Sequence, residues 1–161
     1  MTQIIHTNFD ALKPEREGSG GQFEYEERNA TPDGVSRHCN VSFYELAPGK
    51  SNYPYHYHLD QEEVFYIISG KGVLKTPEGE RSVQSGDLLF FPAGEGGAHK
   101  LTNISSDEPL RYIDFDTIAA MDVAVYPDSQ KVGIWSPTLN KVFRLADKAH
   151  YYDGEEDSSL R

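Results

Sequence analysis

Short apolar segments separated by glycine- and proline-containing turns are the feature that most constrains the fold of this chain. Their length and their content of β-branched and aromatic residues are typical of β-strands. Five such segments lie at 41–46, 64–68, 72–75, 88–91 and 110–115. Turn sequences such as Pro48-Gly49 and Ser69-Gly70 separate them. The pattern predicts an all-β fold, an antiparallel sandwich or barrel, with minor helix near 9–12 and 145–148.

The size of the chain fits one domain. A length of 161 residues and an apolar content of 37% are sufficient for a single hydrophobic core. We therefore treat 1–161 as one domain with peripheral segments at 1–22 and 153–161. Loop-type composition at 14–21 predicts an irregular segment, and the acidic residues at 153–159 predict a solvated tail.

The charge balance restricts the partners of the protein. The 15 basic and 26 acidic residues give a formal net charge of −11, which disfavours binding to nucleic acid or to an anionic membrane. The longest apolar runs are too short to cross a bilayer. The single cysteine, Cys39, cannot form an internal disulfide, and the first residues do not resemble a secretory signal. We expect a cytoplasmic protein that binds a small molecule.

Two histidines occupy alternate positions in Tyr55-His56-Tyr57-His58. On an extended strand such residues point to the same face, so the two imidazoles can chelate one metal ion. A turn at 59–61 would let the next strand run back beside them and bring Glu63 to the imidazoles. His99 follows a later strand and a turn-rich segment, and it completes a candidate set of four ligands. Alone, the two histidines would more often be a surface or hydrogen-bonded pair.

These residues and the glycines and prolines around them resemble the two motifs of the cupin family. The matching residues are Gly49, His56, His58, Glu63 and Gly70 in the first motif, and Gly86, Pro92, Gly94, His99 and Asn103 in the second. The resemblance implies a cupin double-stranded β-helix, which is an antiparallel jelly-roll barrel, with its motif-bearing core at 41–116. It also implies one divalent metal ion bound by His56, His58, Glu63 and His99.

The match departs from the common spacing at two places. The spacer between Gly49 and His56 is one residue longer, and the segment 95–98 before His99 is two residues longer. The extra residues of that segment include Gly96 and Gly97, which can form a bulge at low cost. Glu62 competes with Glu63 for the role of ligand, and we choose Glu63 because it keeps the six-residue interval to the glycine that closes the motif.

The proposed ligand set indicates the chemistry of the site. Three neutral imidazoles and one carboxylate leave open positions on a divalent ion for a chelating oxygen ligand, and the set suits manganese, iron, cobalt, nickel or zinc. Such a centre can act as a Lewis acid. We expect a metal-dependent enzyme on a sugar-like, hydroxy-carbonyl or carboxylate substrate. The resemblance allows a sugar-phosphate isomerase, a decarboxylase, a dioxygenase or a lyase. A non-catalytic ligand-binding module and a structural cupin are the alternatives.

The sequence leaves the roles of several other residues open. The candidates for a general acid or base are Lys71, Arg111, Asp114 and Asp116. Tyr53 and Tyr55 either line the pocket or pack at the rim of the barrel. Residues 126–132 predict a turn or a lid-like loop, in which Lys131 contacts the pocket or is solvated. We also expect a homodimer through sheet edges or faces near the N-terminal strands, because short strands leave edges that need covering.

Overall fold

The structure, a computed structural model, describes residues 4–32 and 34–155. Within these ranges it contains thirteen β-strands and three short 3₁₀ turns, at Phe9–Ala11, Glu95–Gly97 and Pro127–Ser129. The strands are β1 Glu15–Gly20, β2 Phe23–Asn29, β3 Cys39–Leu46, β4 Tyr57–His58, β5 Glu63–Ser69, β6 Lys71–Thr76, β7 Gly79–Gln84, β8 Leu88–Phe91, β9 Lys100–Asn103, β10 Leu110–Thr117, β11 Asp122–Tyr126, β12 Lys131–Trp135 and β13 Asn140–Arg144. Of the predicted acidic tail, residues 156–159 lie outside the described ranges.

The strands form three groups. A six-stranded sheet has the order β1-β2-β3-β10-β5-β8, a four-stranded sheet the order β13-β12-β11-β4, and a three-stranded sheet the order β7-β6-β9. The strand pairs are antiparallel throughout. The predicted antiparallel jelly-roll barrel with little helix is confirmed. The helix expected near 9–12 is the 3₁₀ turn Phe9–Ala11, whereas the prediction of a helix near 145–148 is wrong, because these residues form a turn after β13. None of the described helices has the length and apolar content needed to span a membrane.

The core lies between the sheets and follows the two-residue period of the strands. On β5, Phe65 and Ile67 are fully buried while Tyr66 and Ile68 face outward. On β10, Leu110 and Tyr112 are fully buried by the same alternation. Alternate residues point to opposite faces of a strand, so each of these strands supplies one face to the core. The inner face of β10 continues beyond the core toward the site described below.

The five strands predicted from apolar segments are all present, whereas the prediction for 14–21 is wrong. Glu15–Gly20 forms β1, which pairs with β2 across a turn. All six residues of β1 are exposed, so no apolar alternation marks the strand in the sequence. Its pairing rests on backbone hydrogen bonds and on an ion pair at 3.2 Å between Arg16 and Glu26. The glycines that indicated a loop lie at a register shift near the turn.

Gly70 shows why the turn between β5 and β6 needs glycine. Its φ is +86°, a conformation that residues with a Cβ rarely adopt. A Cβ built at this position would lie 2.5 Å from the carbonyl oxygen of Pro109. The tight turn therefore holds β10 close to the end of β5. This contact lies at the end of the pairing between the two strands that carry the acidic residues of the site, next to a register shift between Arg111 and Tyr112.

Candidate metal centre

The structure brings the four predicted ligands together at one end of the barrel. His58 lies on β4, and Glu63 is the first residue of β5. His56 and His99 exchange two backbone hydrogen bonds, of 3.1 and 2.9 Å, which bring their rings to a centroid separation of 4.8 Å. One donor atom from each of His56, His58 and Glu63 lies within 4.8 Å of the other two. These three residues could hold a metal ion.

The strand that carries Glu63 does not run directly beside the histidine strand, contrary to the prediction from the sequence. β4 pairs with β11, whereas β5 pairs with β10 and β8, so β5 does not run beside β4 as a hydrogen-bonded neighbour. Glu63 instead faces the histidines across the interior of the barrel. Glu62, the alternative ligand, is exposed, because adjacent residues of an extended chain point in opposite directions.

Hydrogen bonds orient all three imidazoles. The Nδ1 of His56 donates to the carbonyl oxygen of Pro54 at 2.9 Å, and the Nδ1 of His99 donates to that of Gly97 at 2.9 Å. The Nδ1 of His58 lies 2.5 Å from Asp122 Oδ2. Because Nδ1 carries the proton in each ring, Nε2 keeps the lone pair that coordinates a metal.

The environment of His99 fits a bound cation. Its Nε2 is buried and has no hydrogen-bond partner among the described residues, although Glu63 Oε2 lies 3.2 Å away. Both atoms are acceptors when His99 donates from Nδ1 and Glu63 is ionised. The Nε2 of His58 and Glu63 Oε1 likewise lie 3.7 Å apart. A positive ion among these atoms would satisfy all of them, so the donor set is consistent with the metal site that the motifs imply.

Burial sets the protonation of the ligands. Burial and the charge of His58 lower the pKa of His56 to about 4, and burial lowers the pKa of His99 well below its usual value. Burial also acts to lower the pKa of His58, but the hydrogen bond to Asp122 and the charge of Glu63 raise it overall. For Glu63, burial raises the pKa to about 7. Two of the imidazoles are therefore neutral, as coordination requires.

Asp122 is a site residue that the sequence analysis missed. It is buried at the start of β11, and its carboxylate contacts the His58 ring and also accepts backbone hydrogen bonds from Asp60 and Gln61. These contacts hold the turn that follows the histidine pair. An aspartate before the apolar run Val-Ala-Val of a strand was the available signal, because aspartate is uncommon in strands.

A pocket of about 180 Å³ opens beside the histidines. Its lining residues are Tyr44, Tyr53, His56, His58, Gln61, Glu63, Asp114, Asp116, Tyr126 and Trp135. Asp114 and Asp116 reach it because both lie on the inner face of β10, with Phe115 pointing outward between them. Burial raises the pKa of both carboxyl groups, most strongly that of Asp114. Donor atoms of Asp114, Asp116 and Glu63 lie within 4.8 Å of one another.

The remaining candidates take different positions. Of the four suggested acids and bases, Lys71 is exposed and Arg111 bonds Glu45 at 2.5 Å, so the two aspartates are the members that face the pocket. Tyr53 lines the pocket, whereas Tyr55 lies under the ammonium group of Lys75. Within the segment 126–132, Pro127–Ser129 forms a 3₁₀ turn that joins β11 to β12, consistent with the predicted turn.

Comparisons with known proteins agree with this architecture. The family model of the cupin domain matches residues 42–116. An uncharacterized protein from Aquifex aeolicus is 31% identical over 98 residues, which make up 61% of this chain and 73% of that protein. The crystal structure of a sugar phosphate isomerase from a cupin superfamily, from Silicibacter pomeroyi, has a TM-score of 0.79 at 21% identity and covers 92% of this chain and 98% of its own. A polyketide cyclase from Streptomyces resistomycificus has a TM-score of 0.62 at 20% identity, covering 71% of this chain and 80% of its own.

The two solved structures share the fold of this chain. The resemblance of the motifs, the matched family model and the jelly-roll barrel lead to one assignment. The chain belongs to the cupin family as a small cupin domain protein.

Proposed function

We propose that His56, His58, Glu63 and His99 hold one divalent metal ion and that the protein is a metal-dependent enzyme acting on a small oxygen-rich molecule. The observation that carries this proposal is the buried Nε2 of His99, which has no hydrogen-bond partner among the described residues and lies 3.2 Å from the carboxylate of Glu63. Manganese, iron, cobalt, nickel and zinc all suit such a nitrogen and oxygen donor set.

In this proposal some residues of the site bind and orient the metal ion, and others transfer a proton of the substrate. When bound, the ion supplies Lewis-acid polarisation of a substrate oxygen. Asp122 orients His58, and the buried Phe91 ring stacks on His99 at a centroid distance of 3.7 Å, so both rings are held before a ligand arrives. Asp114 and Asp116 lie beside the ligand set, where a carboxyl group could take up or release a proton of the substrate.

Isomerisation of a sugar-like compound is the reaction that we favour. The likeness to a sugar phosphate isomerase from Silicibacter pomeroyi supports the type of reaction, and not the presence of a phosphate on the substrate of this chain. Isomerisation of a hydroxy-carbonyl compound needs a polarised oxygen and a group that moves a proton between neighbouring carbons. The pocket offers residues for both tasks. A cupin dioxygenase or decarboxylase would use the same metal ligands. A cytoplasmic location is part of the proposal and is supported by the single cysteine, Cys39.

A non-catalytic binding module is the second candidate, because the same metal could serve as an anchor for a ligand. The position of Asp114 and Asp116 favours the enzyme. Asp114 is buried, Asp116 is half-buried, and neither forms an ion pair with a basic residue of the described chain. Carboxyl groups in such positions are costly for stability and are common at sites of proton transfer. In a simple binding module, neutral side chains would supply the same hydrogen bonds at lower cost.

The first test measures metal. Protein purified without added metal is analysed by elemental analysis, beside the variants His58→Ala and His150→Ala. We expect His58→Ala to lose most of the bound metal and to unfold at a lower temperature, because a ligand that binds only the folded state stabilises it. His150 is exposed and far from the motifs in sequence, so its variant should keep the metal. Unchanged stoichiometry in His58→Ala would contradict the proposal.

The second test measures recognition. Metal-loaded protein is titrated calorimetrically with paired compounds, one carrying adjacent hydroxyl and carbonyl oxygens and the other lacking one of them. A divalent ion held by these four ligands would keep room for added oxygen ligands, and this would favour the chelating compound. Equal binding of both compounds, or binding that persists after the metal is stripped, would favour the binding module.

A further inference from the structure

One wall of the pocket beside the histidines consists of carboxyl groups. Asp114 is 3% exposed, and Asp116 lies next to it on the inner face of β10. The Oδ1 atoms of both are buried and lack a hydrogen-bond partner among the described residues. With Glu63, they place three carboxyl groups around one side of the cavity. The two free oxygens can therefore take a hydrogen bond from a molecule that enters the pocket.

The rest of the lining is aromatic or neutral. Tyr44 and Tyr53 are linked through their hydroxyl groups at 3.1 Å, and Tyr126 stacks on the ring of His56 at 5.8 Å. Trp135 and Gln61 complete this part of the wall. Among the described residues, no lysine or arginine lines the cavity.

The basic residues on neighbouring elements form their contacts with groups outside the pocket lining or at its outer surface. Lys75 forms an ion pair with Asp128 at 2.6 Å, and Arg28 forms one with Glu26 at 3.2 Å. Lys131 lies over the ring of Tyr126, with its Nζ 5.4 Å from the ring centroid, and does not belong to the lining. Apart from the proposed metal ion and its histidine ligands, a phosphate group in this pocket would meet no lysine or arginine of the lining, although these are the usual partners of a phosphate.

The consequence for a ligand follows from charge and hydrogen bonding. A phosphate carries negative charge and only acceptor oxygens when it is fully ionised, so it cannot bond the carboxylate oxygens and is repelled by them. A hydroxyl group carries a donor that suits those oxygens. Protonated carboxyl groups would also bond a hydroxyl, and they would still not neutralise a phosphate. In either protonation state the wall favours an uncharged, hydroxylated ligand.

We propose that Asp114 and Asp116 are specificity-determining residues that hydrogen-bond the hydroxyl groups of an uncharged sugar-like or hydroxy-carbonyl substrate and exclude its phosphate ester. This inference rests on the proposed function, because the metal is taken to bind the oxygens at the other end of the substrate. It narrows the substrate class to molecules without phosphate. The aromatic side chains that line the same pocket suit the carbon skeleton of such a molecule.

The test uses two compounds that differ only in the phosphate. Metal-loaded full-length protein is titrated calorimetrically with dihydroxyacetone and with dihydroxyacetone phosphate, which share the adjacent hydroxyl and carbonyl oxygens. We expect the uncharged compound to bind at least about tenfold more tightly. In Asp116→Asn the ratio should fall toward one, mainly because the phosphate ester binds better. Asp114→Asn is the second variant, and circular dichroism of both checks the fold.

Control variants and metal removal separate the outcomes. Glu80→Gln, an exposed change of the same charge on β7, should keep the wild-type ratio. If the phosphate ester binds more tightly than dihydroxyacetone and loses this advantage in Lys131→Gln, the inference is wrong. Metal-dependent binding of both compounds in the same experiment would still support the proposed function. A ratio that Asp114→Asn and Asp116→Asn both leave unchanged would also overturn the inference. If dihydroxyacetone is still bound selectively after the metal is removed, the result would support the role of Asp114 and Asp116 in specificity and would contradict the proposed function.

Discussion

The Nδ1 of His58 lies 2.5 Å from the Oδ2 of Asp122, a residue 64 positions later in the sequence. The contact joins β4 and β11, whose backbones pair at His58 and Ala124. Asp122 Oδ1 accepts hydrogen bonds from the backbone amides of Asp60 and Gln61, at 3.2 and 3.4 Å. One carboxylate therefore orients the imidazole and closes the turn that leads to Glu63. Asp122 lies outside the segment 42–116 that matches the cupin domain model.

We predict that Asp122→Asn lowers metal affinity about 10- to 100-fold, the range typical for the loss of a partner that orients a metal ligand. The amide removes the negative charge that raises the basicity of His58. Competition with a chromophoric chelator measures the affinity. Asp128→Asn, at an exposed residue of the 3₁₀ turn after β11, has the same change of charge and should bind metal like the wild type. Equal affinities in the two variants would contradict the role of Asp122.

The two glycines before His99 should respond differently to alanine. A Cβ at Gly97 would lie 1.9 Å from the carbonyl oxygen of Pro92, whereas a Cβ at Gly96 meets no atom within 4 Å. The carbonyl of Gly97 also bonds His99. Gly97→Ala should destabilise the protein by about 1–3 kcal/mol or more and reduce its metal content, while Gly96→Ala changes both little. Thermal denaturation and elemental analysis of the pair provide the measurement, and equal behaviour would show that the loop adapts freely.

Metal affinity should rise with pH between about 5 and 7. His56 is neutral in this range because its pKa is lowered to about 4. Glu63, whose pKa is raised to about 7, and His58, whose pKa is raised, are partly protonated and must release protons to the solvent before they coordinate. Each displaced proton lowers the logarithm of the affinity by up to about one for each pH unit below the pKa. Zinc titrations of the metal-free protein at several pH values test this, and a flat profile would argue against Glu63 as a ligand.

The outer face of β5 and β8 suggests the surface of the proposed homodimer. Leu88 and Phe90 are 67% and 56% exposed and lie opposite Tyr66 and Val64. Exposed apolar patches of this kind mark interaction surfaces. β8 is the edge of the six-stranded sheet opposite the N-terminal strand β1, so this surface differs from the one expected near the N-terminal strands.

We predict that the wild type is a dimer, with a mass by light scattering of about twice the chain mass of 18.1 kDa, and that Phe90→Asp is a monomer with the mass of one chain. A charge in the centre of an apolar interface is not compensated and costs several kcal/mol of association energy. Ile104→Asp, at a residue 51% exposed and outside the sheet, is the matched control and should stay dimeric. A monomeric wild type at high micromolar concentration would contradict the dimer.

The metal ligands were predictable because their signal is short-range. His56 and His58 are alternate residues, Glu63 follows after one turn, and the glycines and prolines of both motifs mark where the chain must turn. Strands with apolar alternation, such as β5 and β10, were found for a similar reason, since a two-residue period is a local property. β1 was missed because it is exposed throughout and has no apolar period.

The sequence by itself determined the all-β fold, the turns and the residues able to bind a metal. Only the tertiary structure decided what surrounds them. Asp122 reaches His58 because β11 pairs with β4, and Asp114 and Asp116 face the pocket because β10 lies between β3 and β5. A local pattern shows that two residues share a face of a strand, but strand pairing over long sequence distances decides which face is inside. The position of Asp114 and Asp116 in the pocket, on which the proposed substrate specificity rests, therefore depends on the topology of the sheet.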